Sequence, residues 1–140
     1  MTTNARIVLA LAAAAGLLTV APAGAQTPSP ARLATIQAKR VLSKITGTVR
    51  AEPVGKRTRV TVTFAAPGPS VPQALTLMNG AQCTDRLNRS ATLISLNPPQ
   101  GRVSSTIVNV PFSAFQSGAY AVDIRNATNN ASLEEACARF

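Results

Sequence analysis

Between residues 45 and 140 the chain is cut into short runs by turns rich in proline, glycine and asparagine. Within the runs, apolar and polar residues alternate with a period of two. That combination predicts many short β-strands and little helix. Over 45–51, Ile45, Gly47, Val49 and Ala51 alternate with Thr46, Thr48 and Arg50, a strand with one polar face. Pro53 and Gly55 signal a turn over 52–56. Over 57–64, Val60, Val62 and Phe64 point one way and Arg59, Thr61 and Thr63 the other, so the two runs read as a β-hairpin. Pro67, Gly68, Pro69 and Pro72 end it.

Further strands are expected over 74–78, 92–96, 103–110, 119–125 and 132–140. Asn79-Gly80 and the 97–101 segment, with Pro98 and Pro99, read as turns, and 84–90 and 126–130 as loops. The 103–110 strand is expected to be the longest, with Thr106, Val108 and Val110 on one face. Phe112 and Phe115 are spaced for one helical turn, and Tyr120, Val122 and Ile124 are expected to point inward. The expected fold class is all-β: a single Greek-key β-sandwich or barrel of about seven strands with one disulfide. There is no tryptophan, so the Cys…Trp…Cys spacing of an immunoglobulin domain is missing.

The N-terminal part has a different character. Arg6 precedes an apolar run over 7–18, followed by Ala23-Gly24-Ala25. A basic start, an apolar core and a small-x-small site are the parts of a secretory signal peptide, expected over 1–25. A membrane-spanning helix is the competing reading, but the stretch is dominated by alanine and interrupted by Pro22. Cleavage would leave 115 of the 140 residues, without a transmembrane anchor, in the periplasm or outside the cell. Residues 26–44 read as a basic linker or a short helix, with Leu33, Ile36 and Val41 loosely helical in spacing, and 45–140 as the β-domain. Cys83 and Cys137 are the only cysteines, and two cysteines in an exported chain are expected to pair.

Composition narrows the chemistry. There is no histidine, which removes histidine-containing triads, the HExxH zinc helix and imidazole-built copper or zinc sites. No glycine-rich phosphate loop and no S-x-x-K motif occur. The five carboxylates are Glu52, Asp85, Asp123, Glu134 and Glu135, all expected to be solvated surface charge. Adjacent Glu134 and Glu135 would point to opposite faces of a strand, unlike a paired acid and nucleophile. Asn88, Asn126 and Asn130 match the glycosylation pattern but read as turn-forming residues. The expectation is a non-enzyme with no cofactor and no metal.

The basic residues carry the functional direction. With Arg6 removed, 13 Lys+Arg face 5 acids, a net charge of +8. Eight of these cations lie over 32–59 with only Glu52 among them. On the expected hairpin, Arg57 and Arg59 share a face opposite Val60 and Val62, and Arg50, Lys56, Arg57 and Arg59 form the candidate anion-binding set. The partners this allows are lipid headgroups, lipopolysaccharide, an anionic glycan or an acidic protein. Few aromatics accompany the charge, which disfavours nucleic acid.

The C-terminal half has a recognisable order: Gly80-Ala81-Gln82-Cys83, a loop, a long strand over 103–110, then Gly118-Ala119-Tyr120-Ala121-Val122 and a last strand with Cys137. This resembles small exported bacterial proteins with a superoxide-dismutase-like or chordin-domain-like β-sandwich. The resemblance covers roughly 75–140 and implies the same sandwich, with a bridge from a loop cysteine to one in the final strand, here Cys83 to Cys137. The metal histidines of the enzymes have no counterpart, and Arg125 stands where related small proteins often carry a histidine. Dismutase activity is therefore not carried over. The expected function is a binding or structural module of the cell envelope acting through its basic surface. The alternatives are a protein-interaction or inhibitor module acting through loops such as 84–90 or 97–101, or an inactive relative of the dismutase-like enzymes.

Overall fold

The computed structural model describes residues 30–39, 44–80, 83, 92–128 and 135–140. The expected signal peptide and the expected 84–90 loop lie outside the described residues, as do Asn88 and Asn130. The described chain is all-β, with eight antiparallel strands rather than about seven. They are β1 (Arg32–Ala38), β2 (Gly47–Val54), β3 (Arg57–Phe64), β4 (Gln73–Asn79), β5 (Leu93–Ser95), β6 (Val103–Val108), β7 (Tyr120–Asn126) and β8 (Ala136–Arg139), with one short helix, α1 (Phe112–Gln116), between β6 and β7. Their lateral order is β5-β4-β7-β8-β1-β2-β3-β6.

The additional strand is β1, where sequence spacing pointed to a lead-in or a helical turn. Ala34 and Ile36 are buried while Leu33, Thr35 and Gln37 face out, a period of two. Pairing overrides the weak helical spacing: Arg32 to Ile36 pair with β2, and Gln37 and Ala38 pair with β8. β1 thus turns the corner between the two halves of the sheet, and the β-domain begins at 32, not 45.

The β2–β3 hairpin forms as its alternation predicts. Val54 pairs with Arg57 across a two-residue turn, and Gly55 supplies the positive φ (61°) that such turns need. At the other end of β2, Gly47 has φ 149°, and a Cβ there would sit 2.0 Å from the Thr63 carbonyl oxygen. Gly47→Ala therefore has to push two paired strands apart and is expected to cost about 3 kcal/mol. Gly55→Ala meets nothing within 4 Å and is expected to cost only the strained backbone, about 1 kcal/mol. Urea midpoints of the two variants compare them. Equal losses would mean that the close approach at Gly47 does not constrain the fold.

Val49, Val60, Val62, Leu77, Val122 and Ile124 form the centre of the core, all fully buried. Thr58 is buried among them, and its Oγ1 donates to the Val110 carbonyl at 2.7 Å, so its polar group is satisfied. α1 places Phe115 at one end of this core. Its ring stacks on Tyr120 and meets Phe140 edge-on, both with centroids 5.1 Å apart.

β6 has six residues, shorter than the eight of β2 and β3, so it is not the longest strand. Ser104 and Val108 are buried and Thr106 half-buried, while Val103, Ser105 and Ile107 face out. β5 and β6 are the two ends of the strand order, and Asn97 joins them. Its backbone N–H donates to Thr106 Oγ1 (2.8 Å), its Nδ2 to the Ser105 carbonyl (2.8 Å), and its carbonyl accepts from Ser104 Oγ (2.6 Å). These bonds bring the two ends of the strand order together and leave the sheet nearly closed, like a barrel. Cys83 and Cys137 are bonded, with Cα atoms 5.7 Å apart, tying the connection after β4 to β8. Asn126 ends β7 and forms a turn: its Oδ1 accepts from the Thr128 N–H at 2.8 Å.

Candidate functional site

The outward face of β1, β2, β3 and β6 is built by strand alternation. Because Val49, Ala51, Val60 and Val62 go into the core, Arg50, Glu52, Arg59 and Thr61 must point out. The register then fixes their neighbours. Leu33, Arg50, Thr61 and Ser105 lie in one cross-strand row, and Thr35, Thr48, Thr63 and Val103 in the next. Glu52 pairs with Arg59, and Arg59 with Ile107, in a third. Arg57 pairs with Val54 at the tip, beside Lys56 in the turn.

The four candidate residues Arg50, Lys56, Arg57 and Arg59 are therefore brought together on one hairpin, all exposed. Arg57 and Arg59 are two residues apart on one strand, about 6.8 Å by strand geometry. Arg50 and Arg59 are diagonal neighbours across the pair, about 7–8 Å apart. Glu52 is the only acid on the hairpin. Its Oε1 is 3.0 Å from Arg50 Nη2, with side chains 24% and 50% exposed. An ion pair this open contributes little stability but orients Arg50. Four cations and one carboxylate leave the hairpin three charges positive. Apolar side chains flank the arginines: Leu33 is 64% exposed on one side, and Val103 and Ile107 are 43% and 42% exposed on the other.

Every aromatic ring of the chain is elsewhere. Phe64, Phe115 and Phe140 are buried in the core, and Phe112 and Tyr120 pack against it. The basic face can attract and hydrogen-bond anions, but it has no ring on which to stack a base or a sugar.

Arg139 extends the basic character around β8, where Leu33, Thr35, Gln37 and the Cys83–Cys137 bridge line a shallow cavity of about 360 Å³. Lys39 Nζ donates to the Cys83 carbonyl at 3.0 Å.

Sequence reasoning missed one charged pair. Asp123, expected on the surface, is fully buried, and Arg125 is only 7% exposed. Arg125 Nε donates to Asp123 Oδ2 along β7. Both side chains lie on the side of β7 opposite Val122 and Ile124. Asp123 is also directly paired with Cys137, so the ion pair and the disulfide are neighbours. The available signal was the Asp-x-Arg spacing in a strand, which puts opposite charges on one face. Burial, however, depends on what covers that face and not on the strand itself.

Among the described residues no three Cys, Asp or Glu side chains gather in a way that would hold a metal ion. No helix among them is long and apolar enough to cross a membrane. Comparison of the chain with protein-family models, with curated proteins and with solved structures finds no match.

Proposed function

We propose that this chain, behind a cleaved signal peptide over 1–25, is a Greek-key β-module without catalytic activity that binds phosphate-bearing lipids at the cell-envelope surface. The observation that carries this reading is the exposed β2–β3 face, where Arg50, Arg57 and Arg59 point outward and the only acid is engaged with Arg50. Guanidinium groups match phosphate oxygens in geometry as well as charge. The apolar fringe of Leu33, Val103 and Ile107 favours an amphiphile over a soluble glycan, because it has hydrocarbon to meet. The lack of rings on the face speaks against single-stranded nucleic acid. The disulfide fits an oxidising compartment, where an exported protein would be found. The resemblance to dismutase-like sandwiches bears on the scaffold alone, since a chain without histidine lacks that chemistry.

Binding of the purified protein to vesicles containing anionic phospholipid, and to lipopolysaccharide, tests this across a salt series beside Arg57→Ser/Arg59→Ser. A basic residue near an anionic surface contributes about 1 kcal/mol, so the double variant is expected to bind roughly 30-fold more weakly at low salt. Wild-type binding is expected to fall steeply as salt rises. Undiminished binding by the variant, or none by the wild type at low salt, overturns the reading.

A further inference from the structure

β1 leaves an open edge where it turns the corner between the two halves of the sheet. Its register against β8 pairs Gln37 with Cys137 and Ala38 with Ala136, and there the ladder stops. The next hydrogen-bonded rung would set Thr35 against Arg139, and these two are not paired. Instead the strands part around the shallow cavity of about 360 Å³ that Leu33, Thr35, Cys83, Cys137 and Arg139 line.

Strand alternation fixes where the backbone groups of this edge point. The Lys39 N–H donates to the Glu135 carbonyl at 2.9 Å, so Lys39 faces β8. Successive residues of a strand aim their N–H and C=O groups to opposite sides. Gln37, Thr35 and Leu33 therefore face the β8 side, and Ile36, Ala34 and Arg32 face β2. On β8, the Phe140 N–H donates to the Tyr120 carbonyl, which turns Phe140 toward β7 and Arg139 toward β1. The backbone groups of Leu33, Thr35 and Arg139 thus converge on the gap, with no backbone partner among the described residues. All three residues are exposed, so the groups are open to an incoming chain.

A row of unpaired N–H and C=O groups along a strand is the surface to which an extended polypeptide adds. Charge selects which polypeptide. Arg32 opens β1 beside the gap and Arg139 lines it, both exposed, and no described carboxylate lines it. A second copy of this chain, with a net charge of +9, would bring the same arginines against these. By contrast, no charged residue lines the cavity between 69–73 and 98–101.

We infer that this edge takes up an extended acidic segment of a partner polypeptide, which adds as a strand along β1. Its backbone would bond Leu33 and Thr35, its leading end would meet Arg139 in the gap, and its carboxylates would lie against Arg32 and Arg139. The inference does not rest on lipid binding, since it uses neither Arg57 nor Arg59.

The test has two parts, both read by NMR of the ¹⁵N-labelled protein. In the protein alone, the Leu33, Thr35 and Arg139 amide hydrogens are expected to exchange with solvent at least about 100-fold faster than those of Ala34 and Ile36, which face β2. Protection of the three overturns the inference, because the edge is then already paired, by the chain itself or by a second copy. An acetylated, amidated hexapeptide alternating glutamate and valine is then titrated in. It is expected to shift the three amide signals saturably at sub-millimolar concentration and to slow their exchange. The same peptide N-methylated at every second residue, in either register, keeps its charge, and the register that blocks pairing is expected to bind about 10-fold more weakly. A peptide with lysine in place of glutamate is expected to give no saturable shift. No shift with the glutamate peptide, equal binding of both N-methylated peptides, or equal binding of the lysine peptide overturns the inference. Arg57→Ser/Arg59→Ser is expected to bind the glutamate peptide as the wild type does, and loss of binding there would place the peptide on the basic face instead and overturn it as well.

Discussion

Replacing Cys83 and Cys137 together with serine is expected to lower the unfolding free energy by about 4 kcal/mol. The bridge closes a loop with a sequence separation of 54, and the lost loop-closure entropy of the unfolded chain sets that figure. The closed segment contains β5, β6, α1 and β7, so opening it frees three of the eight strands from a covalent constraint. For a domain of this length the melting temperature is expected to fall by roughly 15–20 °C. Thermal and urea unfolding of the oxidised protein and the double serine variant measure the difference. A change below about 1 kcal/mol would mean that the unfolded chain already keeps the two ends together, so the bridge contributes little.

The second large effect is expected at Asp123. Asp123→Leu removes the carboxylate to which the buried Arg125 guanidinium donates, and breaking a buried pair from one side typically costs about 3–5 kcal/mol. Arg125→Met is expected to cost a similar amount, because Asp123 is fully buried. Asp123→Leu/Arg125→Met together replaces both charges with apolar volume and is expected to lie within about 2 kcal/mol of the wild type. Urea unfolding of the four proteins closes a thermodynamic cycle in which the double variant is far milder than the sum of the singles. Simple additivity would show that the two charges do not act as a pair. Because Asp123 is paired with Cys137, the serine variants and the charge variants are expected to be coupled as well.

The parts of the fold readable in the sequence are those decided by local alternation. Over 57–64 apolar and polar residues switch strictly, the partner strand is next in sequence, and the turn carries Gly55, so the hairpin and the outward placement of Arg57 and Arg59 follow directly. β1 was harder. Its inward residues are Ala34 and Ile36, its most hydrophobic outward residue is Leu33, and its two partners are β2 and β8, the second of them about 100 residues away by the register. The closure by Asn97 was equally hidden: the 97–101 segment reads as a turn, and nothing local says that Asn97 also bonds to Ser104, Ser105 and Thr106. Asp123 and Arg125 look like surface charges because residue type favours the exterior; the tertiary structure buries them. The outward placement of Arg50, Arg57 and Arg59 was legible because it depends only on a period of two, whereas the cavity between 69–73 and 98–101 joins segments about 25 residues apart and was not.

The most direct test of the proposed binding face is to map where the protein meets an anionic bilayer. NMR spectra of the ¹⁵N-labelled protein, recorded with and without nanodiscs rich in anionic phospholipid, report this residue by residue. Perturbations are expected to centre on Arg50, Arg57, Arg59 and Thr61, reach Leu33 and Ile107, and leave Gly101 and Pro72's neighbour Gln73 unchanged. Perturbations centred away from β2 and β3, or spectra that do not change at low salt, would contradict the account.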